Sequence, residues 1–206
     1  MPTADIRIAI MAKAPVAGLA KTRLIPELGA HGAAVLAERL LERAAETAAA
    51  AAIGPVTLWT TPDPRHPAFR ALAARHAIAL ETQPSGDLGA RMLAAMTAAR
   101  GPVIVIGTDC PALTGDRLRH AGRALQDGND VVLTPAEDGG YVLIGAARPQ
   151  PDLMTGMTWS TPQVMADTRA RIARLALRAL ELPMLWDVDE PADLARLERE
   201  FPEFAL

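Results

Sequence analysis

Cysteine is almost missing from this chain. Among 206 residues only Cys110 is one, so an intrachain disulfide is excluded and nothing points to an oxidising compartment. Aromatic residues make up only 3% of the chain, and its apolar content comes instead from Ala, Leu, Val and Ile. No apolar run reaches the ~18 residues of a membrane span. The start, MPTADIRIAIMAK, lacks a basic region followed by an apolar stretch and a small-residue cleavage site, so it is not read as a signal peptide. Excess positive charge is absent too. The formal net charge is −3, with no run of like charge, so there is no basic field for nucleic-acid phosphates and a nucleic-acid partner is not expected. Lysine is the scarcest charged residue: Lys13 and Lys21 stand against 19 arginines. A soluble, cytoplasmic protein without a membrane span is expected.

What is present describes a folded chain. Half the residues are hydrophobic and 22% are charged, which excludes disorder. The length excludes a disulfide-stapled miniprotein and suits one domain over residues 1–206. Short β-rich runs at Asp5–Met11, Pro55–Thr60, Ile78–Thr82, Val103–Gly107, Asp130–Thr134, Tyr141–Gly145 and Glu181–Trp186 alternate with helical patterns. The helices are expected over Gly32–Ala52, Pro67–His76, Leu88–Ala99, Gly115–Gln126, Thr161–Ala176 and Pro191–Glu200. Asp116, Thr161 and Glu190 with Pro191 supply start signals. Such alternation predicts an α/β protein, a three-layer α/β/α sandwich around a mixed, mostly parallel sheet. Val103-Ile-Val-Ile106 suits a strand buried on both faces.

In sheets of this type ligands bind beyond the carboxyl ends of the strands, and four segments there carry usable chemistry. After the first strand, Lys13 to Leu24 is a Gly/Pro-bearing loop with two lysines, a threonine and an arginine. It can offer N–H groups and point charges to a phosphate. Its spacing is neither a P-loop nor a dinucleotide fingerprint, and an ordinary solvated connection could use the same residues. After the fourth strand, Gly107-Thr-Asp-Cys-Pro111 holds Asp109 where a carboxylate could bind a divalent cation; a turn or N-cap role is the plain alternative. Cys110 is not read as a nucleophile, since His31, His66, His76 and His120 all fall in helical or loop contexts away from it.

Glu137-Asp-Gly-Gly-Tyr141 lets backbone approach a ligand at its paired glycines and offers Asp138 to sugar hydroxyls or a metal. A hairpin turn would also use it. In Trp186-Asp-Val-Asp-Glu-Pro-Ala-Asp-Leu194, Asp187 and Asp189 are expected to point to opposite sides, one of them completing a metal seat with Asp109; helix capping is the alternative reading. Arg91, following Gly86-Asp-Leu-Gly89, could meet a phosphate or pair with Asp87. Trp159 and Ser160, with Thr161, offer an aromatic surface and hydroxyls, or core packing and a cap.

Taken in order, Lys13-Ala-Pro, Gly18, Lys21-Thr-Arg-Leu24, Gly86-Asp-Leu-Gly89 with Arg91-Met92, Asp109-Cys-Pro111, Asp138-Gly-Gly-Tyr141, Trp159-Ser-Thr161 and Asp187-Val-Asp189 resemble a family of small bacterial GT-A-fold, glycosyltransferase-like proteins. Some of these are associated with arsenosugar biosynthesis. The chain is more distantly similar to the guanylyltransferases for molybdenum cofactor and for 2-phospho-L-lactate. The resemblance runs from Ile8 to about Leu197 and implies a nucleotide-diphospho-sugar transferase fold with a seven-stranded sheet. It implies Mg²⁺ or Mn²⁺ held by Asp109 and Asp189. Phosphates would be held by Lys13, Ala14, Pro15, Gly18, Lys21, Thr22 and Arg23, with Gly86, Gly89 and Arg91 nearby. The sugar or acceptor would lie against Asp138, Gly139, Gly140, Tyr141, Trp159 and Ser160. Asp109, Asp138 and Lys21 are the implied catalytic set.

The chain departs from the family pattern at Ala17, where proline is usual, at Leu19, where a basic residue is usual, and at Gly107, which replaces the first acid of an Asp-x-Asp pair. The implied partners are a nucleotide sugar or nucleotide and a small-molecule acceptor, with room for a homodimer. Glycosyl transfer to a small acceptor is the leading expectation. Nucleotidyl transfer to a small phosphorylated acceptor is the second, and a catalytically silent nucleotide-binding protein the third.

Overall fold

A computed structural model describes residues 5–205; residues 1–4 and 206 of the expected 1–206 domain lie outside it. Seven strands form one sheet: β1 (Arg7–Lys13), β2 (Val56–Thr61), β3 (Ala79–Thr82), β4 (Val103–Ile106), β5 (Val131–Pro135), β6 (Tyr141–Ala146) and β7 (Ala179–Glu181). Their order is β3-β2-β1-β4-β6-β5-β7. β6 runs antiparallel to both neighbours and the other pairings are parallel. The helices are α1 (Ile25–Ala51), α2 (Pro67–His76), α3 (Leu88–Ala99), α4 (Gly115–Gln126), α5 (Pro151–Met154), α6 (Val164–Arg174) and α7 (Pro191–Glu200).

The period of two along each strand divides the core into two layers. Ile8, Ile10, Ile104, Ile106, Val132 and Leu143 face α1, α2 and α4, meeting Leu41, Phe69 and Leu118. Ala9, Val103, Val105, Val131, Leu133 and Ile144 face α3, α5 and α6, meeting Met96, Leu153 and Met165. Val103–Ile106 is buried along its whole length, as expected of a central strand. A third cluster lies at one end of the sheet, where Leu24, Leu36 and Leu40 pack with Trp186, Val188, Leu197 and Phe204.

Several expectations need correction. The last strand is Ala179–Glu181 rather than Glu181–Trp186. Pro183 has no N–H for a ladder, and beyond it only Leu185 returns, as an isolated bridge to Ala136. Helix α6 starts at Val164, not Thr161, because the Thr161 hydroxyl turns back to donate to the Thr158 carbonyl at 3.0 Å. In α4 the capping side chain is Thr114, whose hydroxyl accepts from Arg117 N–H, while Asp116 pairs with Arg119 at 2.7 Å. Helix α1 begins before Gly32, as a turn interrupted at Gly29 (φ 68°). The one-turn α5 had no counterpart in the sequence reading.

Candidate active site

The carboxyl ends of β4 and β5 and the start of β6 open onto one cleft of about 280 Å³. Its acidic side is made by Asp109, Asp138, Asp187 and Asp189, and its apolar side by Leu88, Ala136, Tyr141, Val142, Trp159 and Val164. Gly107, Cys110, Gly140, Ser160 and Thr161 complete the lining. No Lys, Arg or His is among these lining residues.

Asp109 follows β4 by three residues. Its carboxylate accepts from the Thr108 hydroxyl at 3.1 Å and forms an ion pair with the Lys21 ammonium at 2.8 Å. Its carbonyl accepts from Val188 N–H at 2.8 Å, which stitches the 187–189 segment alongside it. Lys21 also donates to the Val188 carbonyl and lies 3.7 Å from Asp189. The Lys21 side chain is only 7% exposed, and its backbone is left-handed at φ 46° and ψ 46°, a conformation that costs a non-glycine residue roughly 1–2 kcal/mol and clusters at functional sites.

Asp187 and Asp189 were expected on opposite sides, and the structure corrects this. The segment is extended, so side chains two apart share a side. Trp186 and Val188 point into the third core cluster, and both aspartates line the cleft. Their surroundings differ. Asp189 is engaged by Arg23 at 2.5 Å as well as by Lys21, and Arg23 also reaches Glu190 at 3.1 Å. Asp187 has no hydrogen bond or ion pair among the described residues. Burial pushes its carboxyl up to about 6, and Asp138, Asp109 and Asp189 push the same way against Lys21. The thiol of Cys110 is pushed up to about 12 by burial, and burial likewise raises the Tyr141 phenol.

The Asp138 turn is tightly built. Asp138 Oδ1 accepts from Gly140 N–H at 2.8 Å, and Ala136 N–H donates to the Gly140 carbonyl at 3.0 Å. Gly139 has φ 89°, and a side chain there would meet the Pro162 carbonyl at 2.2 Å, so only glycine fits. Across the cleft, the Tyr141 and Trp159 rings stand edge to face with centroids 6.4 Å apart. Gly89 supports this wall from behind, against the Trp159 indole and the Met154 carbonyl. Ser160 holds a left-handed conformation at φ 61°.

Of the expected residues, the structure gathers Asp109, Asp138, Gly140, Tyr141, Trp159, Ser160 and Asp189 on the cleft surface. Lys21 and Arg23 reach it through their carboxylate partners. Lys13 is exposed at the end of β1 and donates to the Leu19 carbonyl at 2.7 Å, Ala14 and Pro15 are buried beneath the loop, Gly18 makes the turn at φ 80°, and Thr22 is exposed. Gly86 and Arg91 do not line the cleft. Arg91 donates to the Gly86 carbonyl and to Gln83 rather than pairing with Asp87, whose carboxylate caps α3. Leu88, Val142 and Val164 were not anticipated. Leu88, 42% exposed at the start of α3, carries no sequence signal beyond being an apolar residue next to a cap.

Residues 41–161 match the model of DUF2064, described as an uncharacterized protein conserved in bacteria. The chain belongs to this family. Among solved structures it is 30% identical to a protein from Desulfovibrio desulfuricans G20 provisionally named a nucleotide-diphospho-sugar transferase. That match has a TM-score of 0.86 and covers 96% of this chain and 87% of the other. A cytidylyltransferase from Leptospira borgpetersenii serovar Hardjo-bovis shares the fold at 12% identity and TM-score 0.61, covering 97% and 96% of the two chains. Glucosyl-3-phosphoglycerate synthase from Mycobacterium tuberculosis, solved with Mn²⁺, UDP and glucosyl-3-phosphoglycerate, shares it at 12% identity and TM-score 0.57, covering 97% and 77%. Among curated proteins none matches. The α/β architecture with its seven-stranded mixed sheet is thus that of nucleotide-diphospho-sugar transferases. Among the described residues no helix is long and apolar enough to cross a membrane.

Proposed function

We propose that the protein is a transferase that moves a sugar from a nucleotide sugar to a small acceptor lacking phosphate, with a divalent cation at the cleft. One observation carries the choice of acceptor. The cleft lining has four aspartates and no basic side chain, so an anionic acceptor would be repelled on entry, whereas a hydroxyl-bearing neutral one would find carboxylates to accept its hydrogen bonds and Tyr141, Trp159 and Leu88 to cover its apolar surface. Nucleotidyl transfer to a phosphorylated acceptor would bring a second anionic group against Asp138, where no basic side chain lines the cleft.

Among the described residues no three of His, Cys, Asp and Glu converge as a metal-binding group. Mg²⁺ or Mn²⁺ held by one or two carboxylates, with waters and substrate phosphates, needs no such group. The donor set fits. Asp187 is a desolvated carboxylate facing other carboxylates without a cation at contact distance, and with Asp109 it forms the better pair, because Asp189 is already engaged by the Arg23 guanidinium. A bound cation would neutralise charge building on the leaving diphosphate.

The remaining work falls to the protein's own groups. Lys13 and Arg23 lie exposed at the loop that would meet the phosphates, Asp138 orients an acceptor hydroxyl, and the aromatic wall excludes water. The test is direct. The protein is incubated with Mg²⁺ or Mn²⁺, nucleotide sugars and neutral or phosphorylated acceptors. Nucleoside diphosphate released with neutral acceptors is expected, and pyrophosphate released from a nucleoside triphosphate would sink the reading.

A further inference from the structure

We propose that Lys21 is a resident counter-ion for Asp109, a positioning residue that pins the strand-end carboxylate to the 187–189 segment and competes with a divalent cation, rather than a ligand of substrate phosphate. The inference rests on the cation-assisted reading of the cleft given above.

The geometry separates Lys21 from the other cations of its loop. Its side chain is 7% exposed, while those of Asp109 and Asp189 are 44% and 43% exposed. The ammonium therefore lies beneath the carboxylates, on their protein side. An ammonium has three N–H donors. Here one donates to the Val188 carbonyl, and the ammonium forms ion pairs with Asp109 Oδ1 at 2.8 Å and, more loosely, with Asp189 Oδ1 at 3.7 Å. Its close contacts are thus to the protein's own carboxylate and carbonyl groups. The neighbouring cations show the opposite disposition, since Lys13 is exposed and the Arg23 side chain is 58% exposed.

The three acceptors belong to two segments some 80 residues apart in sequence, and the main-chain bond from Val188 N–H to the Asp109 carbonyl runs beside them. A compact ammonium on a flexible stem suits this buried three-way contact, whereas a planar guanidinium does not. The left-handed backbone at Lys21 directs the side chain inward, and the short turn Thr22–Leu24 that follows is anchored by fully buried Leu24. Lys21 thus holds Asp109 against the 187–189 segment, and its positive charge lowers the attraction of the cleft for a second cation.

Mn²⁺ binding is measured by electron paramagnetic resonance on wild type, Lys21→Met and Lys21→Gln without nucleotide, and UDP, GDP and CDP binding by calorimetry at saturating Mn²⁺. Removing a positive charge a few ångströms from the carboxylates is expected to tighten Mn²⁺ about fivefold or more. Nucleotide affinity is expected to change less than about twofold, and the metal-free melting temperature to fall. Unchanged Mn²⁺ affinity with a tenfold or greater loss of nucleotide affinity would make Lys21 a phosphate ligand and overturn the proposal. If wild type binds no Mn²⁺, the cation-assisted reading fails by itself. A variant that then gains Mn²⁺ binding supports the role of Lys21, and one that does not overturns it. Lys21→Gln keeps an N–H for the Val188 carbonyl, so the measurement survives if Lys21→Met does not fold.

Discussion

Gly89 and Trp159 pack so closely that a methyl group on Gly89 would lie 2.7 Å from the indole Nε1 and 2.6 Å from the Met154 carbonyl oxygen. The indole edge therefore stands where it does because residue 89 has no side chain. Gly89→Ala is expected to push Trp159 into the cleft or α3 outward, costing about 1–3 kcal/mol as overpacking does. Urea unfolding reads the cost, and a shift in tryptophan emission reads the displacement. An unchanged midpoint with unchanged emission would mean that the wall is softer than its contacts indicate.

Asp187 carries an internal cost of the site. Its folded-state carboxyl is raised to about 6, above the ordinary value of about 3.9. The unfavourable contribution is absent below about pH 4, where Asp187 is protonated in both states, and grows as pH rises through 6. In chelator, wild type should lose on the order of 1 kcal/mol over this window, after allowance for screening in an open cleft. Asp187→Asn should flatten the profile and raise the metal-free melting temperature at pH 7. The same variant should weaken Mn²⁺ binding tenfold or more. Loss of both stability and metal affinity would instead mark Asp187 as a structural residue.

The thiol of Cys110, pushed up to about 12 chiefly by burial, is expected to stay protonated at neutral pH and to react with iodoacetamide far more slowly than a free cysteine. Labelling followed by mass spectrometry measures this, and Cys110→Ser should keep full activity. Rapid labelling at pH 7 would reopen the nucleophile reading that the sequence disfavours.

Much of the scaffold was legible because it rests on local patterns. Val103–Ile106 fits a doubly covered strand, and the Glu190–Pro191 signal at the start of α7 is used as written, whereas α4 takes its cap from Thr114 rather than Asp116. The last strand was misplaced for a non-local reason. Glu181–Trp186 looks extended, and it is, but Pro183 and the path toward the third core cluster remove it from the ladder. Asp109 and Asp138 could be singled out because strand ends in such sheets face ligands, and Trp159 as an aromatic surface near a helix start. The burial of Lys21 could not, since its partners lie at residues 109 and 188. The shared side of Asp187 and Asp189 was readable from the period of two, with Trp186 and Val188 as the apolar alternates.

Val188 is fully buried and lies between the two site aspartates. Val188→Ala should cost about 2 kcal/mol through lost burial and the cavity left behind. Because its neighbours line the cleft, Mn²⁺ affinity should fall as well. Guanidinium unfolding and metal titration on the same preparation check both. A stability loss with unaltered metal affinity would show that the Lys21 contacts alone suffice to hold the segment.

The third core cluster also has a bearing on the order of events during synthesis. Leu24, Leu36 and Leu40 are made well before their apolar partners Trp186, Val188, Leu197 and Phe204, which follow more than 140 residues later. The loop bearing Lys13, Lys21 and Arg23 therefore waits, with its apolar underside uncovered, until the strands of the sheet have all been made. A nascent chain halted before Trp186 would hold all seven strands but lack Asp187 and Asp189, so ligand binding should be acquired after the sheet rather than gradually with it.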